Sequence, residues 1–225
     1  MLSRKRSAEQ ARMAVNAQMA CLRRLLTPET RFLEIGPGDC ALSVEVARRV
    51  ATVIAVDVSD EVTRRANAPS NFRLCISDGR TIPADDGSVD LAYSNQLIEH
   101  LHPEDVSAQL AEVHRVLEPG GRYLCITPHR MSGPHDVSGY FDDEPRGFHL
   151  REYSAGDLVE LFRAAGFSRV ELLVGLKQRY ARCPLAVALV WEALLSSLPR
   201  RWQQHVASRL PSRLLTGDIR LLATR

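Results

Sequence analysis

The sequence contains no apolar run of the roughly 18 residues that a membrane span requires, and no apolar signal core follows its opening MLSRKRSAEQ. Its five cysteines, Cys21, Cys40, Cys75, Cys125 and Cys183, are odd in number and form no CxxC pair. Neither a disulfide framework nor a zinc knuckle is therefore indicated, and a reducing, cytoplasmic setting is expected. Lysine is nearly missing: of 29 basic residues, all but Lys5 and Lys177 are arginine. What is present is ordinary for a folded domain. The chain has 225 residues, 45% hydrophobic and 25% charged, with a formal net charge of +2. This excludes a disordered chain, and a domain of this length buries roughly 70–75% of its unfolded surface without staples.

The small net charge conceals a partition. Residues 1–31 carry seven basic and two acidic side chains, residues 176–225 nine and two, and residues 32–175 thirteen and twenty-three. An acidic centre is flanked by basic ends. Solvated arginine-rich helix faces explain this, as does contact with an anionic substrate or membrane surface. No aromatic-basic surface or motif for nucleic acid accompanies it, so no nucleic-acid partner is expected.

Periodicity divides the chain. Residues 7–26 have helical spacing without Gly or Pro. From residue 31, short β-branched runs alternate with amphipathic segments: RFLEIG, the helix ALSVEVARRV, TVIAVDVS, the helix DEVTRRANA, FRLCISDG, SVDLAYSN, a helical stretch QLIEHLHPEDVSAQLAEVHRVLEPGG ending at a Pro-Gly-Gly stop, and GRYLCITP. The polar segment 128–149 follows, then the capped helix SAGDLVELFRAAGF, the strand RVELLVG, a helical insertion from 180 to about 212, and the strand DIRLLATR. Alternation of this kind predicts an α/β fold, a doubly wound, mostly parallel sheet with helices on both faces. One domain is expected over 1–225: a helical segment over 1–30, an α/β core over 31–175, and the insertion with the last strand over 176–225.

The turn Glu34-Ile35-Gly36-Pro37-Gly38-Asp39-Cys40-Ala41 joins the first strand to a helix, and Asp57 closes the second strand nineteen residues after Gly38. This spacing fits nucleoside-cofactor binding at the carboxyl end of the sheet, with Asp57 accepting from both ribose hydroxyls. Two features argue against a pyrophosphate. Pro37 removes a backbone N–H from the turn, and Glu34 places a carboxylate where it repels phosphate. The same carboxylate suits a cofactor with a cationic amino group, such as S-adenosylmethionine.

LEIGPGDCALSVEVA, VIAVDVSDEV, ISDGRTIPADDGSVDLAYSNQLIEHL and HRVLEPGGRYLCITP resemble, in order and in register with the strands, the motifs of class I S-adenosylmethionine-dependent methyltransferases, in particular the bacterial small-molecule group called type 11. The resemblance covers about residues 31–175. It departs from the family at Cys40, where a third glycine is frequent. It implies a Rossmann-like sheet of seven strands, the last antiparallel. It also implies that Glu34, Gly36 and Gly38 hold the methionine portion, that Asp57 and Val58 hold the ribose and pack the adenine, and that Asp78, with Gly79, accepts from the adenine amino group. An Asx turn at Asp78-Gly79 is the structural alternative. Ser94, Asn95 and Gln96 would face the methionine carboxylate and sulfonium, and His100 would bond near the site.

Methyl transfer to a neutral hydroxyl needs a base, and histidine is the natural residue near neutral pH. His129, His135 and His149 follow the fifth strand, at the edge where acceptor and donor should meet. Three readings stay open. One of these histidines, His135 or His149 foremost, is a base oriented by a carboxylate. Alternatively the histidines pin the loop, or His129, His135, Asp136 and His149 bind a metal. No zinc spacing is recognisable, and no metal is assigned. Tyr140, Phe141 and Phe148 are candidates to line the acceptor pocket. In the insertion, LAVALVWEALL with Trp191 and then Arg200, Arg201 and Trp202 could cover the acceptor, form a homodimer face or rest on a membrane surface. The expected function is O-methylation of a sugar, lipid-linked or polyketide-like small molecule. N- or C-methylation, NAD(P)-dependent oxidoreduction and a non-catalytic methyltransferase-like subunit are the alternatives.

Overall fold

The computed structural model describes residues 8–59, 68–137, 147–176, 178–209 and 211–225. The helix expected at DEVTRRANA lies outside them, as do Tyr140 and Phe141. Helix α1 (Ala8–Leu22) precedes β1 (Arg31–Ile35), α2 (Ala41–Ala47), β2 (Thr52–Asp57), β3 (Phe72–Ile76) and β4 (Val89–Asn95). A 3-10 turn (Ile98–His100), α3 (Pro103–Val116), β5 (Leu117–Pro128), α4 (Ala155–Ala164) and β6 (Arg169–Leu176) follow. The chain then runs through β7 (Arg179–Cys183), α5 (Leu185–Ser196), α6 (Arg200–Ala207), α7 (Arg213–Thr216) and β8 (Asp218–Thr224).

The strands form one sheet in the order β3-β2-β1-β4-β5-β8-β6-β7. Strands β1 to β5 pair in parallel, whereas β8 is antiparallel to both β5 and β6. The doubly wound α/β expectation holds, but the sheet has eight strands among the described residues, not seven. The extra one is β7, which pairs antiparallel with β6 where the insertion was expected to be helical. Gln178 makes the tight return at φ 62°. Gly175 faces Tyr180 across the hairpin, and a Cβ there would strike the Tyr180 ring.

The long helix expected from Gln96 is also divided. Pro103 occupies the first turn of α3, and the preceding His102 is extended at φ −61°, ψ 131°, as the residue before a proline prefers. The chain therefore leaves β4 through the short 3-10 turn. Helix α3 stops at Val116, ahead of the Pro-Gly-Gly stop, because Leu117 already pairs with Val89 at the start of β5.

Both faces of the sheet are covered. On one, Leu33, Ile35 and Tyr123 pack against Val106, Leu110 and Val113 of α3 and Leu158 and Phe162 of α4. On the other, Phe32, Tyr93 and Leu124 meet Met19 and Leu22 of α1 and Leu42 and Val46 of α2. At the far edge from the ligand side, Arg31 bridges Asp90 at 2.5 Å and Glu118 at 2.7 Å, so Asp90 is structural.

The insertion is tied down by one acid. Helix α5 turns Ala188, Glu192 and Leu195 inward. Glu192 Oε1 accepts from the Ala155 amide at 2.7 Å, and Oε2 accepts from the Gly156 amide at 3.1 Å. These are orphan amides of the first turn of α4. Its Oε1 also receives His129 Nε2–H at 2.7 Å. Helix α4 carries a capping box as well, in which Ser154 and Asp157 bond reciprocally. On the opposite side of α5, Val187, Val190 and Leu194 are exposed. No helix among the described residues is long and apolar enough to cross a membrane.

Replacing Glu192 by Ala strands a buried imidazole and the α4 amides. We expect a loss of roughly 3 kcal/mol in urea unfolding, against about 1 kcal/mol for Ser154→Ala.

Candidate functional site

Parallel strands deliver their carboxyl ends to one edge, and the glycine-rich turn lies there. Gly36 and Gly38 have φ of 69° and 54°, conformations that favour glycine. A Cβ on Gly36 would come within 3.0 Å of Leu97 Cδ1, whereas one on Gly38 would point into open space. Cys40, in place of the frequent third glycine, still takes a left-handed φ of 54° and is buried. The turn geometry is thus retained, with the strain borne by a side chain small enough to fit.

Ile35, Gly36, Val56, Asp57, Val58, Ser77, Gly79, Thr81, Ile82, Leu97, Leu101 and Gln109 line a crevice beside this turn. Asp57 Oδ1 accepts from the amides of Val58 at 2.7 Å and Ser59 at 3.3 Å. Its Oδ2 accepts nothing from the described residues. Val58 is 66% exposed, an apolar surface left open at the mouth. Asp78 builds the Asx turn. Its Oδ1 accepts from the amides of Arg80 at 2.9 Å and Thr81 at 2.7 Å, and these bonds hold its carboxyl below the usual range.

Glu34 is buried at the end of β1, where its Oε2 accepts from the Ser43 hydroxyl of α2. Burial pushes its carboxyl up to about 8; the Ser43 bond pulls the other way and Asp39 adds to the rise. A buried acid in this state gains charge when a cation arrives beside it. The crevice thus offers a carboxylate, Asp57, beside an open apolar surface at the carboxyl end of the sheet, with the buried acid Glu34 one residue before its lining residue Ile35.

The remaining expected residues divide. Ser94 points the other way. It is fully buried, and its Oγ shares a hydrogen with the Tyr123 hydroxyl at 2.7 Å, so its side chain belongs to the core. Asn95 ends β4, and Gln96 follows at φ 56° with its amide bonded to the Ile126 carbonyl. His129 is fully buried, with both ring nitrogens engaged. The Met131 amide donates to Nδ1 at 3.1 Å, so Nε2 carries the hydrogen given to Glu192. The ring has no free lone pair, which makes His129 part of the framework and corrects the expectation of a catalytic role. His135 is exposed and lines a separate cavity with Ser132, Arg213, Asp218 and Arg220 over the start of β8. Its Nε2 lies 3.1 Å from the His129 carbonyl. The metal set His129, His135, Asp136 and His149 is not assembled. His129 is bound to Glu192, and Asp136 accepts from the Gly147 and His149 amides.

His149 is different. It is buried beside Glu152, whose Oε1 accepts from Nδ1–H at 2.7 Å and from the His135 amide at 2.6 Å. A neutral ring held this way keeps a lone pair on Nε2. The His149 and His100 rings meet edge to face, 4.9 Å between centroids. His100 Nδ1–H donates to the Phe148 carbonyl at 2.9 Å, and Phe148 itself is exposed. The 3-10 turn couples this group to the crevice: Leu97 and Leu101 face the crevice, while Glu99 and His100 between them face His149. Glu99, Glu152 and Ser43 were not anticipated. Only the spacing of Glu152, three residues after His149 in HLRE, offered a signal.

Comparison with known proteins agrees with this geometry. Residues 33–125 match the Methyltransferase domain family. A probable S-adenosylmethionine-dependent methyltransferase of Mycolicibacterium smegmatis is 37% identical over 142 residues, covering 60% of this chain and 51% of that protein. A malonyl-[acyl-carrier protein] O-methyltransferase of Methylococcus capsulatus is 29% identical over 206 residues, 85% of this chain and 71% of that protein. The chain thus spans about half the length of the first relative. An S-adenosylmethionine-dependent methyltransferase from Mesorhizobium loti shares the fold, with a TM-score of 0.62 at 20% identity over 93% of this chain and 98% of that one. The methyltransferase complexed with the Trm112 activator of Haloferax volcanii does so with a TM-score of 0.65 at 17% identity, over 95% and 90%. The strand order and the crevice agree with these matches: residues 33–125 are similar to the Methyltransferase domain family, within a fold shared with S-adenosylmethionine-dependent methyltransferases.

Proposed function

We propose that the chain transfers a methyl group from S-adenosylmethionine to a hydroxyl oxygen of a small molecule, of the sugar, lipid-linked or polyketide-like kind. The observation that carries the oxygen acceptor is the His149–Glu152 pair: a buried imidazole, fixed by a carboxylate, with its Nε2 lone pair unspent. The O-methyltransferase named among the relatives supports the same choice.

In this reading the ammonium of the cofactor lies against Glu34, Gly36 and Gly38 let the backbone approach its methionine portion, and Asp57 Oδ2 takes the ribose hydroxyls. Val58 and Gly79 flank the adenine, Asp78 Oδ2 reaches its amino group, and Asn95 and Gln96 border the methionine end. Ser94 contributes backbone alone. When bound, the cofactor supplies a methyl group already activated on a sulfonium. The chain then has to place the acceptor in line, exclude water and remove one proton. Leu97 and Leu101 give the crevice an apolar lining that excludes water. His149 Nε2 assists the loss of the hydroxyl proton where the acceptor meets the methyl group.

Asp57→Ala and Glu34→Gln should each weaken S-adenosylhomocysteine binding by roughly ten- to a hundredfold in calorimetry, the scale of a lost charge-assisted bond. Unchanged affinity in both variants contradicts the cofactor pose. Binding should also depend on pH. The Glu34 carboxyl, raised to about 8 in the free protein, is protonated at neutral pH and must lose its proton to meet an ammonium. Affinity should therefore rise with pH and level off above about 8, and Glu34→Gln should remove that slope. The sign for stability is opposite. The native state retains a proton that the unfolded state loses near its ordinary value, so stability of the free protein should fall as pH rises from about 4.5 to 8. His149→Ala should lower labelled-methyl incorporation by roughly 10²–10⁴-fold with cofactor affinity intact, measured on a metabolite extract by mass spectrometry. Full incorporation in that variant would exclude the role given to His149.

A further inference from the structure

We propose that Glu99, His100 and His149 bind a divalent first-row transition-metal ion beside the cofactor crevice, and that this ion holds the acceptor hydroxyl. The second half rests on the methyl-transfer reading above; the first does not.

One ligand atom from each of the three residues lies within 4.8 Å of the other two. They converge from different parts of the chain: Glu99 and His100 on the 3-10 turn after β4, and His149 ahead of α4. The convergence is built into the backbone. The amides of Leu150 and Arg151 both donate to the Glu99 carbonyl, at 2.8 and 3.3 Å, and clamp the segment next to His149 onto the turn.

An independent observation points to a ligand. Glu99 is completely buried, and its Oε2 accepts from the Thr127 hydroxyl at 2.8 Å. Its Oε1 is buried with no partner among the described residues. An acceptor left this way costs about 1–3 kcal/mol, more when it is charged. A cation among the three residues removes that cost.

The histidines are prepared as metal ligands are. A ligating imidazole commonly gives its other N–H to a carboxylate or a backbone carbonyl. His149 Nδ1–H goes to Glu152 and His100 Nδ1–H to the Phe148 carbonyl, so the nitrogen remaining on each ring is Nε2. Two imidazoles and one carboxylate favour zinc, iron, cobalt or nickel over magnesium or calcium, which prefer oxygen sets. Three protein ligands leave further coordination positions. His100 is exposed, so the cluster opens to solvent on its side, where an acceptor can enter.

The chemistry needs no oxidant or reductant. A hydroxyl oxygen bound to the ion becomes more acidic and gives its proton to solvent; the oxygen lone pair then forms the new O–CH₃ bond as the C–S bond breaks and its electron pair returns to sulfur. The lone pair of His149 thus acts through the ion, and the alkoxide keeps its place until transfer.

The test uses the full chain, stripped with chelator and titrated with Co²⁺ and with Zn²⁺ by calorimetry, with the visible d–d bands of Co²⁺ as a second signal. One equivalent should bind. His100→Ala and His149→Ala should each weaken binding at least tenfold, Glu152→Gln by roughly 10–100-fold, and Glu99→Gln should alter the Co²⁺ spectrum. His135→Ala, outside the cluster, should bind as the unaltered chain does. Absence of stoichiometric binding, or affinity in His100→Ala and His149→Ala unchanged from that of the unaltered chain, overturns the site, as does a preference for Mg²⁺ over both probes. S-adenosylhomocysteine affinity is measured on the same samples. If it is intact while no metal binds, the metal site fails and the methyltransferase reading stands. If metal binds as expected but the cofactor does not, the reading of the crevice fails and the ion site remains.

Discussion

The buried carboxylate of Glu192 is the constraint on which the ligand-side architecture rests. It joins three parts of the chain distant in sequence: the end of β5 through His129, the start of α4 through two amides, and the insertion through its own helix. A buried acid is tolerated only where hydrogen bonds satisfy it, and here three donors do so. The arrangement fixes where α4 begins. It thereby fixes the segment just before α4, which carries His149 and Glu152. The insertion, least family-like in sequence, is in this sense part of the scaffold of the candidate site.

Two other buried acids are held differently. Glu34 has a hydroxyl and Glu99 a hydroxyl, and burial pushes both carboxyls up. One lies at the end of β1 against α2, and the other on the 3-10 turn beside His149. Acids left under-satisfied at a sheet edge are where a cationic ligand gains most. The same physics underlies both proposals, an ammonium near Glu34 and a metal ion near Glu99.

Much of this was legible in the residues. The strand–turn–helix at Glu34–Ala41, the acid at Asp57 and the alternation of strands and helices all rest on local spacing, which one sequence displays. Facing was less legible. In a parallel sheet both sides are buried, so nothing in SVDLAYSN says that Ser94 turns to Tyr123 rather than to the ligand edge. Convergence was not legible at all. Glu99 and His149 are fifty residues apart, and their meeting depends on amides that any side chain could carry. Glu192 did leave a trace, as the lone charge within an apolar run, but a buried cap and a solvated residue look alike in a sequence. The β7 hairpin was hidden because RYARC has the brevity and mixed polarity of a connection.

The placement of β8 bears on how such a chain is completed. Every other strand precedes it, yet it lies between β5 and β6 and bonds to both. Until Asp218–Thr224 slots in, the β6–β7 hairpin has no ladder to the rest of the sheet, and the open edge of β5 is an unpaired template. During vectorial synthesis that seam between β5 and β6 stays open until Asp218–Thr224 has emerged.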